Sequence, residues 1–157
     1  MKSQIIFLSF VVLLFASACS SIKTTPETVA AITAKVESKD FTVRFNYANP
    51  FRMKQVSLTS EYTLKIKGDS AFAYLPYYGV AHVAPFNSSE GGIKFSSPMI
   101  EYSETANKRK DGWNIRFKIN SGEYHYDLLL DVFKNGRSSL HVNSYERDPI
   151  TFYGELM

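Results

Sequence analysis

The chain reads as a mostly-β protein, an antiparallel barrel-like or sandwich sheet with one N-terminal helix. Three observations carry that reading. Short runs alternate apolar and polar residues, and turn-forming residues separate them at even spacing. Aromatic side chains make up 15% of the 157 residues, with 12 Phe and 10 Tyr, a content that suits strands. Only one segment beyond the leader, near residue 30, spaces its apolar residues as a helix does.

The chain begins with an export signal. Lys2 supplies a short positive start, Ile5 to Phe15 is a run of apolar residues interrupted only by Ser9, and Ala16-Ser17-Ala18 sets small side chains before Cys19. Cys19 is the only cysteine. A thiol at that place can take a diacylglycerol, with a palmitate added once cleavage frees its amine, and so becomes the lipid anchor of the mature protein. The apolar run is about half the roughly 20 residues that a spanning helix needs, which argues against a permanent transmembrane segment. A plain secretory leader with an incidental Cys19 is the competing reading, because the acylation pattern prefers Leu three residues before the cysteine and this chain has Ala16 there. Ser20 and Ser21 carry no charge that would redirect sorting, so the expected location is the cell envelope, anchored in the outer membrane and facing the periplasm. On this reading residues 1–18 are the leader, 19–24 a tether, and 25–157 a single β-rich domain of ordinary size.

Thr25-Pro26-Glu27 starts the helix. Threonine caps, proline is tolerated at the first helical position, and a carboxylate favours the positive end of the dipole. Val29, Ile32 and Val36 follow at helical spacing, so a helix from Pro26 to Ser38 is expected. From Asp40 the period becomes two. Phe41, Val43, Phe45 and Tyr47 alternate with polar residues in a half-buried strand that Pro50 ends. Val56 and Leu58 lead to Tyr62, Leu64 and Ile66, and Lys67-Gly68-Asp69-Ser70 turns the chain into Ala71 to Leu75. Further strands are expected over Gly92 to Phe95, Met99 to Ser103, Trp113 to Ile119, Tyr124 to Phe133, Ser139 to Tyr145 and Ile150 to Tyr153. Gly112, Ser121-Gly122, Asn135-Gly136 and Asp148-Pro149 mark the turns between them.

A formal charge of +3 falls by one when Lys2 leaves with the leader, and the basic residues are scattered, so nucleic acid is not an expected partner. Lys108-Arg109-Lys110 is the one basic cluster, and its Asn, Asp and Gly neighbours make it a solvated hairpin tip. With no second cysteine, no disulfide can form within the mature chain, and stability must come from packing.

Several runs resemble an uncharacterised lipoprotein family of Bacteroidetes, domain of unknown function 4251. They are Leu58-Thr59-Ser60-Glu61-Tyr62, Lys67-Gly68-Asp69-Ser70, Tyr74-Leu75-Pro76-Tyr77-Tyr78-Gly79, Glu90-Gly91-Gly92-Ile93-Lys94-Phe95, Asn135-Gly136 and the closing Ile150 to Gly154. The resemblance implies a single envelope domain. It brings no reaction with it.

Catalytic signals are weak. His125, Asp127 and Asp131 share one side of their strand, where zinc or calcium could bind, but alternation alone produces such a row, and neither metal nor cofactor is expected. Ser88, Ser89, Ser96 and Ser97 lie near glycines without the strand-to-helix elbow that exposes a nucleophile. Glu101 and Glu104 could serve a small glycan-active enzyme only if the fold set them across a sugar. The expected recognition segment is Phe72 to Phe86, where Tyr74, Tyr77, Tyr78 and Phe86 surround two prolines and a glycine. Rings with polar tips can stack on a ligand while hydrogen-bonding at its rim. The competing use of the same rings is to plug one end of the sheet. Function is thus expected to be non-catalytic binding or envelope support, with a glycan, a lipid or an envelope protein as partner, and a pocketless protein-interaction module as the alternative.

Overall fold

The computed structural model describes residues 24–83, 91–109, 111–122 and 124–157. Cys19, Phe86, Ser88 and Ser89 lie outside the described residues. Helix α1 (Pro26–Glu37) forms as its sequence directs: Thr25 is the N-cap and accepts a hydrogen bond from the Thr28 amide, Pro26 opens the first turn, and Lys35 sits in the last. Ile32 and Val36 are its buried residues.

Nine strands follow among the described residues: β1 (Asp40–Pro50), β2 (Val56–Lys67), β3 (Ser70–Leu75), β4 (Ile93–Pro98), β5 (Ile100–Ala106), β6 (Gly112–Ser121), β7 (Tyr124–Phe133), β8 (Arg137–Ser144) and β9 (Ile150–Leu156). They make one antiparallel sheet in the order β4-β3-β2-β1-β9-β8-β7-β6-β5. The last strand lies between β1 and β8, so the two ends of the domain meet in mid-sheet. Curling of this sheet brings β4 against β6 and leaves a nearly closed barrel. Of the two architectures open from sequence, the barrel-like one forms. Two separate sheets do not.

Alternation fixes which side chains enter the barrel. Phe45, Leu64, Ile93, Ile115, Phe117, Leu128, Leu130, Leu140 and Phe152 are among those fully buried inside it. β6 and β7 pair in unbroken register from Gly112 opposite Phe133 to Ser121 opposite Tyr124, and their apolar and polar faces divide as the alternation predicts. β1 departs from the expected pattern. Against β9, a register shift between Phe45 and Tyr47 inserts one extra residue into β1, which reverses the phase: Ala48 is buried, and Tyr47, expected inside, is 45% exposed.

The two barrel ends differ. α1 covers the end where β1 begins and β9 finishes, with Ile32 against the β7–β8 turn at Gly136 and Lys35 Nζ donating to the Met157 carbonyl at 2.6 Å. Residues 76–83 and 145–149 close the other end, where an Ala81–Arg147 bridge joins the two connections.

Candidate ligand-binding site

The expected recognition segment begins on β3 and turns over the open end of the barrel. Tyr74 stays on the outside, 53% exposed, and stacks on Tyr62 with ring centroids 5.7 Å apart and planes 19° apart. Lys94 Nζ lies 5.4 Å from the Tyr74 ring centre. Tyr77 turns inward. Its hydroxyl donates to the carbonyls of Val80 at 3.0 Å and Asp148 at 3.2 Å. Burial and the nearby Asp148 charge raise the Tyr77 phenol above its ordinary pKa, while Arg147 pulls it down. Tyr78 is half-buried and packs against the core. The run divides its rings between surface and plug, because successive residues of an extended segment point to opposite sides. Gly79 is required by space: a β-carbon there would lie 2.6 Å from the Tyr77 hydroxyl.

Arg147 is the centre of the plug and is only 4% exposed. Its guanidinium lies 4.1 Å from the Tyr124 ring centre and 4.9 Å from that of Tyr77. One terminal nitrogen donates to the Gly92 carbonyl at 3.0 Å, and the other to the Tyr124 hydroxyl at 2.6 Å. Tyr124 stacks on Tyr126, and Tyr126 meets Phe95, so a row of rings runs from the cation into the barrel. Burial pushes the Tyr126 phenol up to about 12 despite the opposing pull of Arg147. Asp148 is also buried. Its Oδ1 lies 2.9 Å from His82 Nε2, and Oδ2 faces Arg52 Nε at 3.4 Å without the geometry of a hydrogen bond. Arg147 Nε likewise has no hydrogen-bond partner among the described residues. Sequence reasoning missed Arg147, Asp148, His82 and Arg52. All four lie in connections where no periodicity operates, and the Asp148-Pro149 pair read only as a turn.

Beside the plug, a surface groove of about 260 Å³ is lined by Tyr62, Tyr74, Leu75, Pro76, Tyr77, Gly91, Gly92 and Lys94. It joins two of the expected rings, Tyr74 and Tyr77, with the glycine pair that precedes β4.

Residues with potential for other chemistry are engaged elsewhere. Asp131 accepts hydrogen bonds from Asn114 and Ser139, whereas His125 contacts Glu146 and Asp127 faces Arg116. The described residues contain no cluster of three metal-ligating side chains. Ser144 donates to Glu146 rather than to His125, so no serine–histidine relay forms there. Glu101 pairs with Lys118, and Glu104 accepts from the Tyr102 hydroxyl at 2.8 Å. Burial, followed by that contact, raises the Tyr102 pKa.

The family model described as Domain of unknown function (DUF4251) matches residues 23–156. A crystal structure of a DUF4251 family protein from Bacteroides eggerthii DSM 20697 has a similar fold, with a TM-score of 0.67 at 14% identity, covering 87% of this chain and 91% of that one. No curated protein matches.

Proposed function

This chain belongs to the DUF4251 family, and from that premise we propose that it is a lipid-anchored, non-catalytic binding module of the cell envelope. The single observation that carries the binding reading is the stacked Tyr62–Tyr74 pair bordering the rim groove. Tyr74 keeps half its surface in water beside a concave wall of Leu75, Pro76 and Tyr77, an arrangement suited to the flat face of a small ligand. The leader over residues 1–18, which precedes Cys19, supports the anchor, and uncharged Ser20 and Ser21 support an outer-membrane location facing the periplasm. A protein-interaction module has one feature in its favour, the unpaired outer edge of β5 with Ile100 exposed. That edge is guarded by a register irregularity between Ile100 and Ser103 and by Glu101 at φ 54°, which twist it away from flat pairing.

Binding of the full chain to glycan and lipid-vesicle panels tests the proposal. Tyr74→Ala should lower affinity about tenfold or more and change folding stability by less than about 1 kcal/mol, since the ring is exposed. Unchanged binding in Tyr74→Ala would remove the rim groove from consideration. Cys19→Ala should move the protein from the membrane to the soluble fraction.

A further inference from the structure

On the outer wall, away from the rim groove, a hollow of about 600 Å³ spans β1, β9 and β8. Tyr47 and Tyr153 stand opposite each other across β1 and β9, and both remain more than 40% exposed. Half-buried Phe133 adds a third ring, while Asn46, Asn135, Arg137, Ser139 and Glu155 supply polar groups.

Two local devices build this hollow. The extra residue in β1 turns Tyr47 from the core to the surface, where it joins Tyr153. Gly154 then lets β9 close on that irregularity, because a β-carbon there would lie 1.9 Å from the Arg44 carbonyl oxygen. At the rim, the Asn135 side chain accepts a hydrogen bond from the Arg137 amide at 3.0 Å and so fixes the β7–β8 turn.

We propose that this hollow is a saccharide subsite for a neutral pyranose-containing glycan. A pyranose has an apolar C–H face, which can lie on the tyrosine rings, and a border of hydroxyls for the amide, guanidinium, carboxylate and serine groups around them. The volume is within the range of small-ligand sites. Arg137 and Glu155 stand opposite each other in register and give the lining one charge of each sign, so no cationic excess selects phosphate or nucleic acid. β1, β9 and β8 are each paired on both sides, which leaves no backbone edge for a peptide strand to extend. The charged rim also disfavours an acyl chain. The hollow is separate from the rim groove, since the two share no lining residue.

The test is calorimetric titration of the full chain in detergent micelles with neutral gluco-, manno- and N-acetylglucosamine oligosaccharides. Binding of at least one series is expected. Tyr47→Ala and Tyr153→Ala should each weaken it about tenfold or more, Arg137→Gln less, and Tyr153→Phe little, because the ring remains. Tyr74→Ala should leave it unchanged, which separates this site from the rim groove. No binding by any series would overturn the proposal, as would wild-type affinity in both alanine variants with their thermal unfolding intact. Should an alanine variant fail to fold, Ser139→Trp, which fills the hollow from a half-buried position in its floor, must abolish binding in protein whose thermal unfolding is intact, and retained affinity would overturn the proposal. Competition by inorganic phosphate at matched ionic strength would also overturn it and indicate an anion site.

Discussion

At the α1 end of the barrel, Ile32 and Val36 are buried by apolar contact, and loss of a methyl group there removes packing that neighbours can partly recover. The opposite end is closed by a buried cation between two tyrosine rings, two donated hydrogen bonds and a carboxylate held by a histidine. Apolar contact is tolerant and additive, whereas a buried polar network fails as a unit when one member leaves its partners unsatisfied. The rim which borders the proposed ligand groove is therefore also the more brittle closure.

Arg147→Ala should produce the largest effect. It removes hydrogen bonds to Gly92 and Tyr124 and opens a void between the rings, so a loss of about 3 kcal/mol in urea unfolding is expected. Arg147→Met keeps much of the apolar stem and sharpens the point. Full recovery by Met would mean that packing, not polar contact, holds the plug. Val36→Ala at the other end should cost about 2 kcal/mol by the same measurement, as a truncated core residue does. If Val36→Ala proves costlier than Arg147→Ala, the asymmetry between the two ends is wrong.

The smallest effect concerns acid. Glu146 is near the plug, where burial alone would raise its pKa, yet hydrogen bonds from Ser144 and His125 outweigh that and hold it at about 2, against 4.5 for the free group. A lowered folded-state pKa means that its stabilising contribution is whole above about pH 4.5 and is lost as pH falls toward 2. Glu146→Gln should therefore lower stability near neutrality and flatten its decline over that acid window. A parallel decline in wild type and variant would show that Glu146 does not carry the dependence.

Periodicity made much of the barrel legible in advance. β7 runs from Tyr124 to Phe133 as expected, and α1 ends within a residue of the expected place, because alternation and capping are local signals. Sequence did not distinguish barrel from sandwich, since closure depends on the long-range placement of β9 between β1 and β8. It also missed the reversed phase at Asn46, because Phe-Asn-Tyr is unremarkable alternation until its partners are known. Of the expected recognition rings, Tyr74 and Tyr77 do line one groove. Their partner Arg147 was hidden because a connection carries no pattern from which a buried cation could be read.

The shift in β1 has a consequence for how this strand can change over time. Upstream of Asn46 it is in frame with the interior, and downstream with the interior again but one position later, so a single residue works as a comma between two readings of the strand. Straightening the strand with every residue kept would exchange Tyr47 and Ala48 between solvent and core, whereas removing Asn46 would restore plain alternation with Tyr47 still outside and Ala48 still inside, and insertions within the 51–55 connection would leave both readings intact. Length variation should accordingly be tolerated after Pro50, and a one-residue deletion at Asn46 should preserve the facing of Tyr47 and Ala48.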